Sequence, residues 1–288
     1  MTEILRGAEV VKALNERVAA GVEELRVRDI VPTLAIVRVG ERADDVSYER
    51  GASKRATSLG VEVRSIVLVQ EVSTEALVAQ IEALNADDAV HGVLVFRPLP
   101  AHVDEDVVRN ALVPAKDIDG ITDLSLAGVF TDVPLGFAPC TAVACVEILD
   151  HFGIDIGGKK VVVVGRSLVI GKPVAMMLLG RNATVTIAHS RTRELAEVVA
   201  AADIVIAAVG RANMLTERYL RQGQTVIDVG INVSEDGALV GDVDFAAASQ
   251  LVAALTPVPG GVGTVTTSVL VKHVVEAAAR QAAALPVR

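Results

Sequence analysis

Residues 161–173 read VVVVGRSLVIGKP. Four consecutive valines ending at a glycine describe a strand buried on both faces that stops at a tight turn. Gly165 opens the turn, Arg166 and Ser167 occupy it, and Gly171 and Pro173 begin the next helix. Proline suits a first helical turn, where its missing N–H would have no partner in any case. Strand, glycine turn and helix in this order form the phosphate-binding unit of a dinucleotide fold. Glycine lets a phosphate approach the backbone, and the helix N-terminus offers N–H donors and a favourable dipole. The spacing is not the usual G-x-G-x-x-G. Ser167 stands in place of the second glycine, and its hydroxyl is a candidate phosphate partner. The plainer alternative is a tight turn with no ligand.

Working outward, strands are expected at 160–164, 184–188, 204–208 and 225–229, alternating with helices. In such a topology the end of the second strand, ATVTIAHS, faces the adenosine ribose. An acidic residue there would bond a 2′-hydroxyl, but His189, Ser190, Arg191 and Thr192 follow instead. Arg166, Ser190 and Arg191 suit a 2′-phosphate, which favours NADP over NAD; a solvated loop is the alternative for Arg191.

The first half alternates in the same way. Apolar residues recur at helical spacing from Gly7 to Leu25. PTLAIVRVG reads as a buried strand, VEVRSIVLV as a second, TEALVAQIEALN as a capped helix, and HGVLVFRPLP as a third strand entering a proline-rich turn. A helix is expected from about 141 to 152 and another from about 265 to 284. The fold class is therefore α/β, with parallel strands covered by helices. The expected division is one lobe of residues 1–140 plus a C-terminal helix over 265–288, and a Rossmann-like lobe of residues 141–264. The two long helices would join the lobes, with a cleft between them.

Composition agrees with this architecture. The 288 residues are 51% hydrophobic but only 2% aromatic, so the core is built from Ala, Val, Leu and Ile. A net charge of -9 without a basic block argues against nucleic acid and anionic membrane as main partners. Two cysteines form no disulfide framework, and the histidines lack metal-ligand spacing. Neither a secretory segment nor a membrane-length apolar run is present, so a cytoplasmic protein is expected.

SYERGASKRA, residues 47–56, poses a separate question. As a helix it would place Tyr48, Gly51, Ala52 and Arg55 on one face, an aromatic ring beside two small residues, with Lys54 pointing away. A helix with one half-buried tyrosine is the plainer reading.

Three further stretches are distinctive: PAKDIDG (114–120), VIDVGIN (226–232) and TPVPGGVG (256–263). Together with APCT and GRSLVIGKP, which lie between the first and second of them, they occur in the family's order across nearly the whole chain and resemble the bifunctional methylenetetrahydrofolate dehydrogenase/cyclohydrolase family. That resemblance implies an N-terminal folate-binding lobe and an NADP-binding lobe. It implies oxidation of 5,10-methylenetetrahydrofolate, hydrolysis of the methenyl product to 10-formyltetrahydrofolate, and a homodimer. It assigns Tyr48 to packing on the folate and Asp119 to the pterin, whose paired N–H donors a carboxylate can accept. Gly165, Arg166 and Ser167 match the cofactor phosphate turn, Ser190 a residue near the 2′-phosphate, and Ile231 the nicotinamide end. Pro259, Gly260 and Gly261 match the loop lining the folate and cofactor cleft. No metal is implied.

The chain departs from the family in two places that matter chemically. The family's lysine, four residues after the tyrosine, helps activate water for hydrolysis; Ala52 stands there. The family's glutamine that supports this lysine is replaced by Phe96 within VFRPLP, and the next leucine by Arg97. Ala142 and Thr264 replace two prolines. A retained dehydrogenase with a weak or lost cyclohydrolase is expected. Full bifunctionality, a shifted substrate, and a folate- or nucleotide-binding protein without turnover are the alternatives.

Overall fold

A computed structural model of the chain describes residues 1–284. It divides into two compact units, Met1–Lys12 with Pro139–Thr266, and Ala13–Ala138 with the chain from Thr267 onward.

The first unit contains β1 (Glu3–Ile4) and the start of α1 (Gly7–Arg26). The second continues through β2 (Thr33–Val39), α2 (Ala43–Ser58), β3 (Glu62–Leu68), α3 (Thr74–Ala86), β4 (Gly92–Val95), α4 (Glu105–Ala111) and α5 (Asp123–Thr131). The chain then re-enters the first unit with α6 (Cys140–His151), β5 (Lys160–Val164), α7 (Gly171–Gly180), β6 (Thr184–Ala188), α8 (Leu195–Ala200) and β7 (Ile204–Ala207). There follow β8 (Thr225–Asp228), β9 (Asn232–Val233), β10 (Leu239–Val240), α9 (Phe245–Ala248), β11 (Ala254–Leu255) and the first residues of α10 (Val262–Ala284).

The sheet of the first unit has the order β1-β11-β8-β7-β5-β6, with every pairing parallel. From β5 the chain steps outward to β6, then returns across β5 to β7. This reversal makes a topological switch point beside the end of β5, where open α/β sheets hold ligands. The strands bury Val162, Val164, Val205, Ala207, Val226 and Leu255 in one apolar cluster.

The second unit holds a smaller parallel sheet, β3-β2-β4. Every residue of the central strand β2 is buried, including Arg38. A buried guanidinium needs a counter-charge. Arg38 Nε donates to Glu49 Oε2 of α2 at 2.8 Å, its Nη1 donates to the Gly40 carbonyl, and Ser65 Oγ of β3 donates to the other oxygen of Glu49. This network ties α2, one residue from Tyr48, to the sheet.

The alternating parallel architecture is as the sequence predicts, and β5 and β6 have the expected limits. Two short strands, β1 and β11, extend the larger sheet beyond the expected four. Two residues cannot display a period, so only pairing reveals them. The β1–β11 pairing is also why residues 1–12 group with the first unit and not with the rest of 1–140. The expected C-terminal helix is α10, and its anticipated last residues 285–288 lie outside the described residues.

Candidate functional site

The motif PAKDIDG divides its labour residue by residue. Lys116 is buried, and its Nζ donates to the carbonyls of Leu84 (2.9 Å), Asn85 (2.9 Å) and Asp87 (2.7 Å) at the C-terminal end of α3. Those carbonyls have no partner within the helix, and a cation there also meets the negative end of the dipole. Burial lowers the lysine's affinity for its proton, while Asp87 and Asp88 oppose that shift. Asp117 is fully buried and accepts from the N–H groups of Ile121 (3.0 Å) and Thr122 (2.8 Å), closing the turn. Two residues beyond Asp117, Asp119 is half-buried and lines a cavity.

That cavity, ≈ 370 Å³ in the second unit, is lined by Arg42, Asp45, Tyr48, Phe96, Arg97 and Asp119 among others. It lies in the range of small-molecule sites and combines an aromatic wall with convergent charged groups. Tyr48 and Phe96 meet edge to face, with ring centroids 5.6 Å apart. Arg97 pairs with Glu105 at 3.2 Å, and Arg42 Nε lies 3.8 Å from Asp45. A larger apolar groove of ≈ 430 Å³ runs along α1 and α10, walled by Leu14, Val18, Leu25 and Val275 among others.

The helix over residues 47–56 is real, within α2, but its buried face is Asp45, Ala52 and Ala56. Of the expected face only Ala52 belongs to this buried stripe; Tyr48 is 41% exposed, Gly51 is exposed and Arg55 is half-buried. At about 100° per residue, positions 45, 52 and 56 align, Tyr48 is displaced by about 60° and Gly51 by about 120°. Ala52 is 1% exposed and carries no ionisable group. Lys54 is exposed.

In the first unit, Gly165 follows β5 at the switch point. Its N–H donates to Ala188 O (2.9 Å), and its φ is 133°. A Cβ there would lie 2.1 Å from the Ala208 carbonyl oxygen, so glycine is demanded by both conformation and space. Ser167 Oγ accepts from Ile170 N at 3.1 Å and from Gly171 N at 3.5 Å, organising the start of α7. A hydroxyl that accepts in this way still has its own proton to donate to an anion. Arg166 and Ser167 are exposed. β5 and β6 end in register, Val164 opposite Ala188, so the segment 189–191 leaves the sheet beside the Gly165 turn. Ser190 and Arg191 are exposed there, in a turn closed by His189 N donating to Thr192 Oγ1 (2.9 Å) and Arg191 N donating to His189 Nδ1 (3.1 Å).

Ile231, 67% exposed, projects after β8, and a Cβ on Gly263 would lie 3.3 Å from its Cδ1. The end of β8 and the glycine loop before α10 are therefore side by side. In that loop Pro259 and Gly260 are exposed and Gly261 is buried. Gly7 N donates to Gly260 O at 2.8 Å. The structure thus gathers Tyr48, Phe96 and Asp119 in one unit, and in the other the Gly165 turn beside Ser190, and Ile231 beside the glycine loop.

Sequence reading missed two buried acids, Asp228 and Asp242. Asp228 stands in VIDVGIN, a stretch singled out for its overall pattern; Asp242 follows a glycine in a turn with no motif of its own. Burial pushes the Asp228 carboxyl up to about 6; three backbone N–H donors pull it down, and Asp242 adds to the upward push. Among the described residues no group of His, Cys, Asp and Glu is arranged to hold a metal ion.

The chain is similar to known proteins over nearly its whole length. Residues 5–119 match the catalytic domain of tetrahydrofolate dehydrogenase/cyclohydrolase, and residues 139–282 match its NAD(P)-binding domain. The chain is 47% identical to the bifunctional protein FolD of Clostridioides difficile (strain 630), over 96% of both chains. The crystal structure of the bifunctional FolD enzyme from Campylobacter jejuni is 34% identical, covering 97% of this chain and 99% of that one, with a TM-score of 0.94. The Trypanosoma brucei dehydrogenase-cyclohydrolase, crystallised with NADP cofactor and inhibitor, is 35% identical with a TM-score of 0.91, covering 98% of this chain and 99% of that one. The chain belongs to the tetrahydrofolate dehydrogenase/cyclohydrolase family.

Proposed function

We propose that this chain oxidises 5,10-methylenetetrahydrofolate to 5,10-methenyltetrahydrofolate with NADP, and that its cyclohydrolase step is weak or absent. One observation carries the second half: the Phe96 ring packs on Tyr48 in the cavity that Asp119 lines, while Ala52 is buried and has no proton to exchange.

Hydride transfer depends on placement more than on proton handling, because the folate nitrogens stabilise the developing cation. NADP, when bound, accepts that hydride. The first unit's own groups fit such a cofactor. The Gly165 turn leaves no room for a side chain, Ser167 keeps a donor proton, and Arg166, Ser190 and Arg191 stand exposed in the turns that follow the paired ends of β5 and β6. In the second unit, Tyr48 offers an aromatic wall to the folate, and the Asp119 carboxylate accepts N–H donors from the pterin edge. Pro259, Gly260, Gly261 and Ile231 are assigned to lining the site by the family resemblance.

Hydrolysis requires a base for the attacking water, typically worth about two to four orders of magnitude. Arg97 and Arg42 stay protonated and cannot serve. Asp45 faces Arg42, and Asp119 is committed to the pterin. A second reading, full bifunctionality, is favoured by the bifunctional names of the relatives.

Following NADPH formation and methenyl-folate hydrolysis separately decides between them. NADPH formation without enzyme-dependent hydrolysis is expected. Hydrolysis that scales with enzyme restores the bifunctional reading, and folate or cofactor binding without any NADPH formation makes the chain a binding protein. A cytoplasmic homodimer is proposed from the family resemblance. Among the described residues no helix is long and apolar enough to cross a membrane. Sedimentation velocity checks the assembly.

A further inference from the structure

Three segments meet at the C-terminal ends of β7 and β8, and two buried carboxylates hold them together. Asp228, the last residue of β8, accepts from Gly230 N (2.9 Å), Asp242 N (3.0 Å) and Val243 N (3.0 Å). Asp242 accepts from Val209 N (2.6 Å), Gly210 N (3.0 Å) and Arg211 N (2.9 Å), which follow β7. It also accepts from the side-chain amide of Asn232, immediately after Ile231, at 3.0 Å. Asp228 therefore seats the segment carrying Asp242, and Asp242 clamps the turn after β7 to the turn after β8.

The packing leaves no slack. A Cβ on Gly230 would lie 2.4 Å from Asp242 Cγ, and one on Gly241 would lie 1.9 Å from Asp228 Oδ2. Asp228 is 3% exposed and Asp242 fully buried. Two carboxylates buried this close are costly, and apolar residues are the commoner way to fill a core. What they supply is direction: backbone N–H groups on both turns are aimed inward, so the turns face outward in a fixed pose.

We infer that Asp242 is a positioning residue for cofactor. Its carboxylate fixes the backbone of Val209–Arg211 against Gly230–Asn232, and so sets Ile231 and both turns at the edge of the sheet where a dinucleotide binds. The inference rests on the proposed reading of that edge as the NADP site.

The test is NADP affinity and hydride-transfer rate in Asp242→Asn, using the full chain. An amide keeps one oxygen but turns an NH₂ group toward N–H donors, so the turns must shift. A displacement of this kind lowers hydride transfer by about tenfold or more at saturating cofactor and weakens NADP binding, while KM for methylenetetrahydrofolate stays put. Val199→Ala, a core truncation elsewhere in the same unit, is the control: it lowers Tm but leaves NADP affinity and the hydride-transfer rate unchanged. Should Asp242→Asn not fold, Asn232→Ala removes one donor from a half-buried side chain and is read for the same loss. A wild-type protein that does not bind NADP overturns the reading of the site. A wild-type protein that binds NADP, with a variant that binds and reacts equally well, overturns the role of Asp242 alone.

Discussion

The ring of Tyr48 meets the ring of Phe96 at an interplanar angle of 87°, with centroids 5.6 Å apart. An edge-to-face pair of this kind is worth about 0.5–1.5 kcal/mol beyond burial, so Phe96 holds the tyrosine as well as displacing the glutamine expected there. Ala52→Lys alone should leave methenyl-folate hydrolysis at the wild-type level, because the lysine lacks its partner. It should also destabilise the chain by about 1–3 kcal/mol, since Ala52 is 1% exposed and a longer side chain overpacks that face. Ala52→Lys with Phe96→Gln should raise hydrolysis by about two orders of magnitude. Urea denaturation and a hydrolysis assay measure the two effects. A single lysine that restores full hydrolysis would falsify the pairing.

Asp119 is presented to its cavity by neighbours with other duties, Lys116 capping α3 and Asp117 closing the turn. Asp119→Ala should remove a charged hydrogen-bond acceptor from the folate site, while the contacts of Lys116 and Asp117 still close the turn. Such an acceptor is worth about 1.5–3 kcal/mol, so KM for methylenetetrahydrofolate should rise roughly tenfold to a hundredfold with NADP affinity unmoved. Steady-state kinetics varying each substrate in turn distinguishes this from a general loss of activity. An unchanged folate KM counts against the assignment.

Selectivity between NADP and NAD should lie in the two adjoining turns after β5 and β6. Arg166→Ala and Ser190→Ala are each expected to weaken NADP more than NAD, lowering the preference by about tenfold for the arginine and less for the serine. Both side chains are exposed, so Tm should hardly move. Equal losses for the two cofactors would place these residues away from the 2′-phosphate.

The raised Asp228 carboxyl gives a signed pH dependence. Its folded value is about 6 against an ordinary 3.8, so the folded state binds this proton more tightly than the unfolded state does. The associated stability is present below about pH 4 and is lost as pH rises through 6. About two units correspond to about 3 kcal/mol at most. In urea titrations across this range, the wild-type stability minus that of Asp228→Asn should fall as pH rises. Asp242, which adds to the upward push on Asp228, is present in both proteins. A pH-independent difference removes Asp228 as the source.

Much of the fold was legible from the valine run and its glycine. A continuous apolar strand that ends at Gly165 admits little besides a buried parallel sheet with a tight exit, and β5 and β6 have the predicted limits. The helix carrying Tyr48 was legible as a helix, but which of its faces is buried was not. Local spacing defines which residues align, whereas the sheet selects which stripe is buried, and it selects Asp45, Ala52 and Ala56. The Asp228–Asp242 arrangement was not legible at all, because the two acids are separated in sequence by a hairpin and recognise each other only through backbone N–H groups.

By itself, the sequence determined the alternating α/β pattern and the glycine turn, because each is a matter of local residue type and spacing; that Ala52 and Phe96 stand where the family has Lys and Gln is what the resemblance implies. Only the tertiary structure decided that Ala52 is buried while Tyr48 is not, that Phe96 closes on Tyr48, and that Asp242 clamps two strand ends. Burial and long-range hydrogen bonding depend on what packs from other parts of the chain, and no local pattern encodes those partners.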